Sequence, residues 1–300
     1  MVKRVLVGYG IDVDAVSGWI NPCFGKPADP TNVSRGIFGA TVGIDRVLKL
    51  LKDHDIKGTW FVPGHSIESF PNQLQKVIDG GHEMLVAIVS KHDLFITANG
   101  DSGLHGYCHE HVGDLREQQE RDVMAKSIEV LTKFTGKKPR GWTAPSWNTS
   151  KDTIRVLEDH GIGLDWKETS LENEASSWFE PMSKLTSSKL VEIPANWHLD
   201  DWPPFVVNFS NAAAQGYVDP DVIEKLWKCQ FDFFYREYDT FIFPMTIHPQ
   251  VSGKSQVILM HERIIAYINS HEGVEWVTME QMVDEFKSGR IAGATVEGGV

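Results

Sequence analysis

Apolar residues along this chain switch repeatedly between a continuous spacing and a spacing of three to four. These switches divide it into strands and helices. "RVLVGYGIDVD" (residues 4–14) is almost unbroken apolar sequence ending in two aspartates, the pattern of a fully buried strand with polar groups at its C-terminal end. "VGIDRVLKLLKDHDI" (42–56) instead places Ile44, Val47, Leu48 and Leu51 on one helical face. The alternation continues with a strand at 57–64 closed by Pro63 and Gly64, a helix over 66–81 and a strand at 82–89. A long amphipathic helix over 115–136 stops at Gly136. "RGWTAP" (140–145) reads as a strand, 150–161 as a helix and the region of Leu164 as a short strand, while 167–189 has no clear pattern. Asp219 and Pro220 supply the N-cap and first position of a helix over 219–240. A strand at 241–249, a helix at 256–273, a strand at 274–279 and a helix at 280–290 complete the series.

Repeated strand–helix units predict an α/β fold with a parallel sheet and outer helices, most simply a closed or distorted barrel. One domain over 1–290 is expected, followed by a frayed tail at 291–300.

Composition narrows the functional classes. The net charge of −12 argues against a nucleic-acid partner and, less strongly, against an anionic membrane surface. No apolar run approaches the roughly 20 residues of a membrane span. The first residues, "MVKRVLVGYGIDVD", lack the apolar core of a secretion signal, and three widely spaced cysteines do not form a disulfide framework. A soluble, cytoplasmic protein is expected, with self-association left open. "GYGIDVD" lacks the third glycine of a dinucleotide fingerprint.

In a barrel the chemistry gathers at the C-terminal ends of the strands. Four such ends carry suitable groups: Asp12 and Asp14, the His105–His109 pair, the run from Trp142 to Trp147, and His248. Each alone has an ordinary structural explanation; together they suggest a metal hydrolase. Two imidazoles and a carboxylate suit a divalent ion, most plausibly Zn²⁺, with positions left open for water and substrate. Asp14 fits the third ligand and Asp12 a general base, because residues two apart on a strand end share a face. His248 fits a general acid that protonates the leaving nitrogen. Such a set hydrolyses an amide. Trp142, Trp147 and Trp197 are candidates for the substrate pocket.

"GIDVD", "HGYCH", "GWTAPSW" and "MTIHP" follow one another in the order of the motifs of the polysaccharide deacetylase (NodB-homology, carbohydrate esterase family 4) superfamily. Longer stretches, "SRGIFGATVGIDRVLKL", "GTWFVPGHSIESFP", "VEIPANWHLDDWPP" and "MTIHPQVSGKSQVILMHE", resemble its branch of peptidoglycan deacetylase-like proteins and cyclic imide hydrolases. The resemblance implies a distorted barrel of about seven strands, a metal on Asp14, His105 and His109, Asp12 as base and His248 as acid. It implies an N-acetylated amino sugar as substrate; the absence of a secretion signal favours a small cyclic imide or ureide instead.

Three departures qualify it. Trp142-Thr143-Ala144-Pro145 stands where the commoner pattern has an arginine, so Arg140 is not given that role. Deleting 85–102 leaves "GHEMGLHGYCHEH", the uninterrupted family motif, so those eighteen residues read as an insertion, either a retained intron or a surface loop. A substrate-lining segment after Asp165 is missing. A chain whose metal site these changes had disrupted would act as a binding protein.

Overall fold

Strand β1 (Arg4–Asp12) lies at the centre of a parallel sheet, and every paired strand but one is bonded directly to it. The structure is a computed structural model describing residues 3–20, 28–84, 105–137, 139, 141–150, 152–153, 156, 191, 193–207 and 216–291. Along one edge β1 pairs over almost its whole length with β4 (Thr240–Ile247). Its other edge is shared: β2 (Thr59–Phe61) pairs with the last three residues of β1, and β5 (Val274–Trp276) with Val5–Val7. β3 (Glu83–Met84) extends the sheet from β2. These five parallel strands, with helices between them, bear out the α/β expectation. The insertion at 85–102, the missing segment after Asp165, the helix at 150–161 and the strand near Leu164 fall largely or wholly outside the described residues.

The sequence of β1 explains its position. Val5, Val7, Tyr9 and Ile11 point into the main core beneath the helices, whereas Leu6 packs with Met279, Met282, Val283 and Ile291 on the opposite face. Ile291, expected at the start of a frayed tail, is thus buried. Gly8 shares the face of Leu6, where a Cβ would come within 2.7 Å of the Val277 carbonyl oxygen. The same parity brings Asp12 to the end of that face.

The helices at Pro220–Glu237, Ser255–Asn269 and Met279–Lys287 match the predicted pattern, including the Asp219 cap on the Asp221 N–H. Gly136 ends the Glu117–Thr135 helix in the left-handed conformation. Two expectations need correction. The helix foreseen over 66–81 is two helices, Gly64–Ser69 and Pro71–Asp79, because Pro71 cannot donate the hydrogen bond that would continue the first. "RGWTAP" is not a regular strand: it has a single bridge at Trp142 before a 3₁₀ turn at Pro145–Trp147.

The expected helix near residue 44 is longer than its periodicity showed. Pro30–Phe38 runs through a π-helical turn, Gly39–Gly43, into Ile44–Asp53. Gly36 lets this helix lie directly on the turn at Ala15, and Gly39 and Gly43 let it lie on the start of the short helix Pro249–Ser252. A Cβ at Gly36 would sit 2.4 Å from the Ala15 carbonyl oxygen, and one at Gly43 2.3 Å from that of Pro249. Gly43→Ala, which in an open helix gains helix propensity, is therefore expected to destabilise the protein by about 1–3 kcal/mol. Urea unfolding tests this, and an unchanged midpoint would mean that the two backbones separate without cost. No helix among the described residues is long and apolar enough to cross a membrane.

Candidate active site

Asp12 closes β1, and Val13 continues alongside β2 through a hydrogen bond from its N–H to the Phe61 carbonyl, 2.8 Å. Asp14 follows at once, and the chain then turns through the left-handed region at Ala15 (φ 51°). The Asp14 carbonyl accepts hydrogen bonds from the Ser17 and Ser66 hydroxyls, so the backbone behind its carboxylate is fixed. Gln250 Nε2 donates to Asp14 Oδ2 at 3.1 Å, which leaves Oδ1 to face the histidines.

His105 and His109 belong to a tight loop, not a helix. Gly106 and His109 both have positive φ, 67° and 56°, and such strained non-glycine geometry is concentrated at functional sites. Glu110, 6% exposed, holds the loop by accepting the N–H groups of Tyr107 and Cys108 at 3.0 and 2.9 Å. The Tyr107 hydroxyl donates to Glu68 at 2.6 Å, and the His65 N–H to the Tyr107 carbonyl at 2.7 Å, docking the loop on the Gly64–Ser69 helix. Cys108 is half-buried and stands outside the candidate ligand set.

Together these elements bring His105 Nε2 to 3.2 Å and His109 Nε2 to 3.6 Å from Asp14 Oδ1. All three residues are buried, with one ligand atom of each within 4.8 Å of the others. Asp14 Oδ1 has no hydrogen-bond donor among the described residues, although it is enclosed by protein and faces both rings. Burial works to raise the Asp14 pKa, but His109, His105 and His248 outweigh it and hold the carboxyl below its usual range. Burial lowers His109 to about 4, which keeps its imidazole neutral, the form that binds metal. Two imidazoles and one carboxylate oxygen, converging without a hydrogen bond to that oxygen, fit a divalent metal ion.

His248 stands across from this group. It follows β4, whose register beside β1 carries it to the site, and its Nε2 lies 3.7 Å from Asp12 Oδ2. Asp12 Oδ2 is also 4.0 Å from His105 Nε2, so the carboxylate lies between the two halves of the site. His248 Nδ1 donates to Asp201 Oδ1 at 2.7 Å, and the His248 backbone N–H approaches both Asp201 oxygens at 3.0–3.1 Å. Burial lowers the His248 pKa, but Asp201, Asp200 and Asp14 raise it well above the ordinary histidine value. Asp200, Asp201 and His248 also have ligand atoms within 4.8 Å of one another. Hydrogen bonds already occupy both Asp201 oxygens, so this is a carboxylate–imidazole pair rather than a second metal site.

The three tryptophans separate. Trp147 and Trp197 meet with ring centroids 3.8 Å apart, and Trp197 is half exposed. Trp142, expected beside them, is 3% exposed and lines a small cavity with Gly106, Val112, Leu115 and Met124. Trp202 was not foreseen; its ring lies 4.9 Å from that of His248 and 5.8 Å from that of Trp19. Asp201, Gln250 and Glu110 also went unrecognised. The only sequence signals for them were the paired aspartates of "HLDDW" and the polar residues flanking the histidine motifs.

The family model described as polysaccharide deacetylase matches residues 39–93 and 96–164. The chain is 41% identical to a peptidoglycan deacetylase of Helicobacter pylori, over 95% of this chain and 97% of that protein. Its fold is similar to that of a polysaccharide deacetylase-type protein of Mycobacterium smegmatis (TM-score 0.75, 23% identity, covering 99% and 95% of the two chains). It is likewise similar to Puue allantoinase (TM-score 0.70, 20% identity, 95% and 91%). The whole-length match to the Helicobacter protein agrees with a site assembled from both ends of the sequence: the chain belongs to the polysaccharide deacetylase family.

Proposed function

We propose that this protein is a metal-dependent hydrolase that removes acetyl groups from N-acetylated amino sugars. The observation that carries the reading is Asp12, buried between the Asp14–His105–His109 group on one side and His248 on the other. Asp14, His105 and His109 would hold the ion, for which Zn²⁺ is the best match to an N₂O donor set. When bound, the ion supplies Lewis-acid polarisation of the amide carbonyl.

The chain's own residues do the rest. Asp12 accepts a proton as water adds its oxygen to the carbonyl carbon. His248, charged and oriented by Asp201, gives its Nε2 proton to the sugar nitrogen as the C–N bond breaks. Acetate and a free amine leave. Trp147 and Trp197 offer an aromatic face for a sugar ring. Trp197 lies on the segment leading into Asp200 and Asp201, and Trp147 follows Pro145, which abuts Gly106 of the histidine loop. Acetate release from N-acetylglucosamine oligomers by the zinc-loaded protein tests the reading. Ring opening of a cyclic imide without acetate release would replace it with an imidase, and neither reaction would leave a binding protein.

A further inference from the structure

The hydrogen-bonded chain behind His248 does not stop at Asp201. Ser252 Oγ donates to Asp201 Oδ2 at 2.5 Å and lies 2.8 Å from His261 Nε2. His261 Nδ1 in turn lies 3.2 Å from the Tyr9 hydroxyl. All four side chains are buried. They come from the loop after Leu199, the short helix at Pro249–Ser252, the middle of the Ser255–Asn269 helix and the core face of β1.

The direction of these bonds follows from counting hydrogens. The serine hydroxyl has one, and it points to Asp201. Toward His261 the Ser252 oxygen can therefore only accept, so Nε2 carries a proton. Burial lowers the His261 pKa to about 4, so the ring is neutral and has no second proton. Nδ1 must then accept from the Tyr9 hydroxyl. Every donor in the series Tyr9, His261, Ser252 points toward Asp201, and bonds aligned in this way polarise one another. The walls are aromatic: Trp227 lies 5.6 Å from the His261 ring, and Trp276 stacks on Tyr9 at 5.5 Å. A histidine kept only for packing would not need a proton on a particular nitrogen.

We propose that His261 is a positioning residue for the hydrolytic reaction: through the Ser252 hydroxyl it fixes the Asp201 carboxylate and so orients the acid His248. This rests on the proposed function, in which His248 protonates the leaving group. Removing the Nε2 donor frees Ser252 to rotate its hydrogen away from Asp201, which leaves the His248 ring less firmly aimed. The rate suffers, whereas substrate binding and metal ligands are untouched.

The test uses the full-length, zinc-loaded protein and acetate release from an N-acetylglucosamine oligomer. His261→Leu is expected to lower kcat about 10-fold or more, with KM and zinc content unchanged. His261→Gln, which returns an N–H near the position of Nε2, should recover most of the loss. Ser252→Ala, a smaller change that folds if the leucine variant does not, should lower kcat like His261→Leu. In an Asp201→Asn background His261→Leu should cost nothing further, because residues acting as a unit are not additive. An equal loss in both backgrounds, or failure of glutamine to rescue, would make His261 a packing residue and overturn the proposal. A loss in Asp201→Asn with none in His261→Leu or Ser252→Ala would overturn it alone. Full activity in Asp201→Asn would overturn the acid role of His248 and the proposal with it.

Discussion

Asp14→Ala and His105→Ala are each expected to remove the bound divalent ion and to lower kcat/KM by about 10³-fold, the equivalent of several kcal/mol of transition-state stabilisation. The size follows from the geometry. Asp14 Oδ1 is the one carboxylate oxygen that both histidines approach, so its loss leaves two imidazoles with no anion between them. Its other oxygen belongs to Gln250, and Gln250→Ala should therefore weaken metal affinity by only about 10–100-fold. Metal content by mass spectrometry, measured beside activity, separates the cases: about one ion per chain in the parent, none in the first two variants and a recoverable site in the third. An Asp14→Ala protein that kept a full equivalent of metal would remove Asp14 from the ligand set.

Asp201→Asn is expected to lower kcat by about 10²–10⁴-fold without loss of metal. The asparagine can still meet the His248 ring, but it carries no charge to keep that ring protonated. In the parent His248 lies well above the ordinary histidine value. Its protonated form, which the reaction needs, is therefore present through neutral pH and is lost only as pH rises past that elevated value. Without the Asp201 charge the alkaline limb of kcat should move to lower pH, toward the ordinary histidine value of about 6.5. The shift is incomplete, because Asp12 at 3.7 Å and Asp14 still face the ring. Asp200, 3.9 Å from Nδ1 and pushed up to about 7 by burial, also remains. A pH profile of kcat decides; an alkaline limb that stayed in place would belong to another group.

How much of this was legible in the sequence depends on the distance over which each residue acts. Local rules sufficed for the Asp219 cap, the Gly136 stop and the buried strand β1, all set by a residue and its near neighbours. The histidine pair and the two aspartates were readable because strand parity and a four-residue spacing are themselves local. Asp201 and Gln250 were not: their partners His248 and Asp14 lie 47 and 236 positions away, and only the assembled sheet brings them together. His261 reads in the sequence simply as part of a helix, and its proton is assigned only by contacts from two other elements. The side on which Trp142 lies was not legible, because the expected strand reduces to a single bridge, which gives no period from which to choose a face. Pro71 is a local breaker inside an otherwise helical apolar pattern, so periodicity alone does not show the break.

The π turn at Gly39–Gly43 sets how this protein can change length. Deleting a residue elsewhere in the helix that spans Pro30 to Asp53 would rotate everything beyond it by about 100° and carry Ile44, Val47 and Leu51 out of the core. A π turn already holds roughly one residue more than an α turn. Losing one residue there would tighten it into regular helix and leave both flanks in phase. What would alter is the spacing of the glycines that lie against Pro249 and Gln250, directly behind Asp14 and His248. A one-residue deletion at this turn is thus the length change that the hydrophobic core would hardly register and that the reaction centre would register at once.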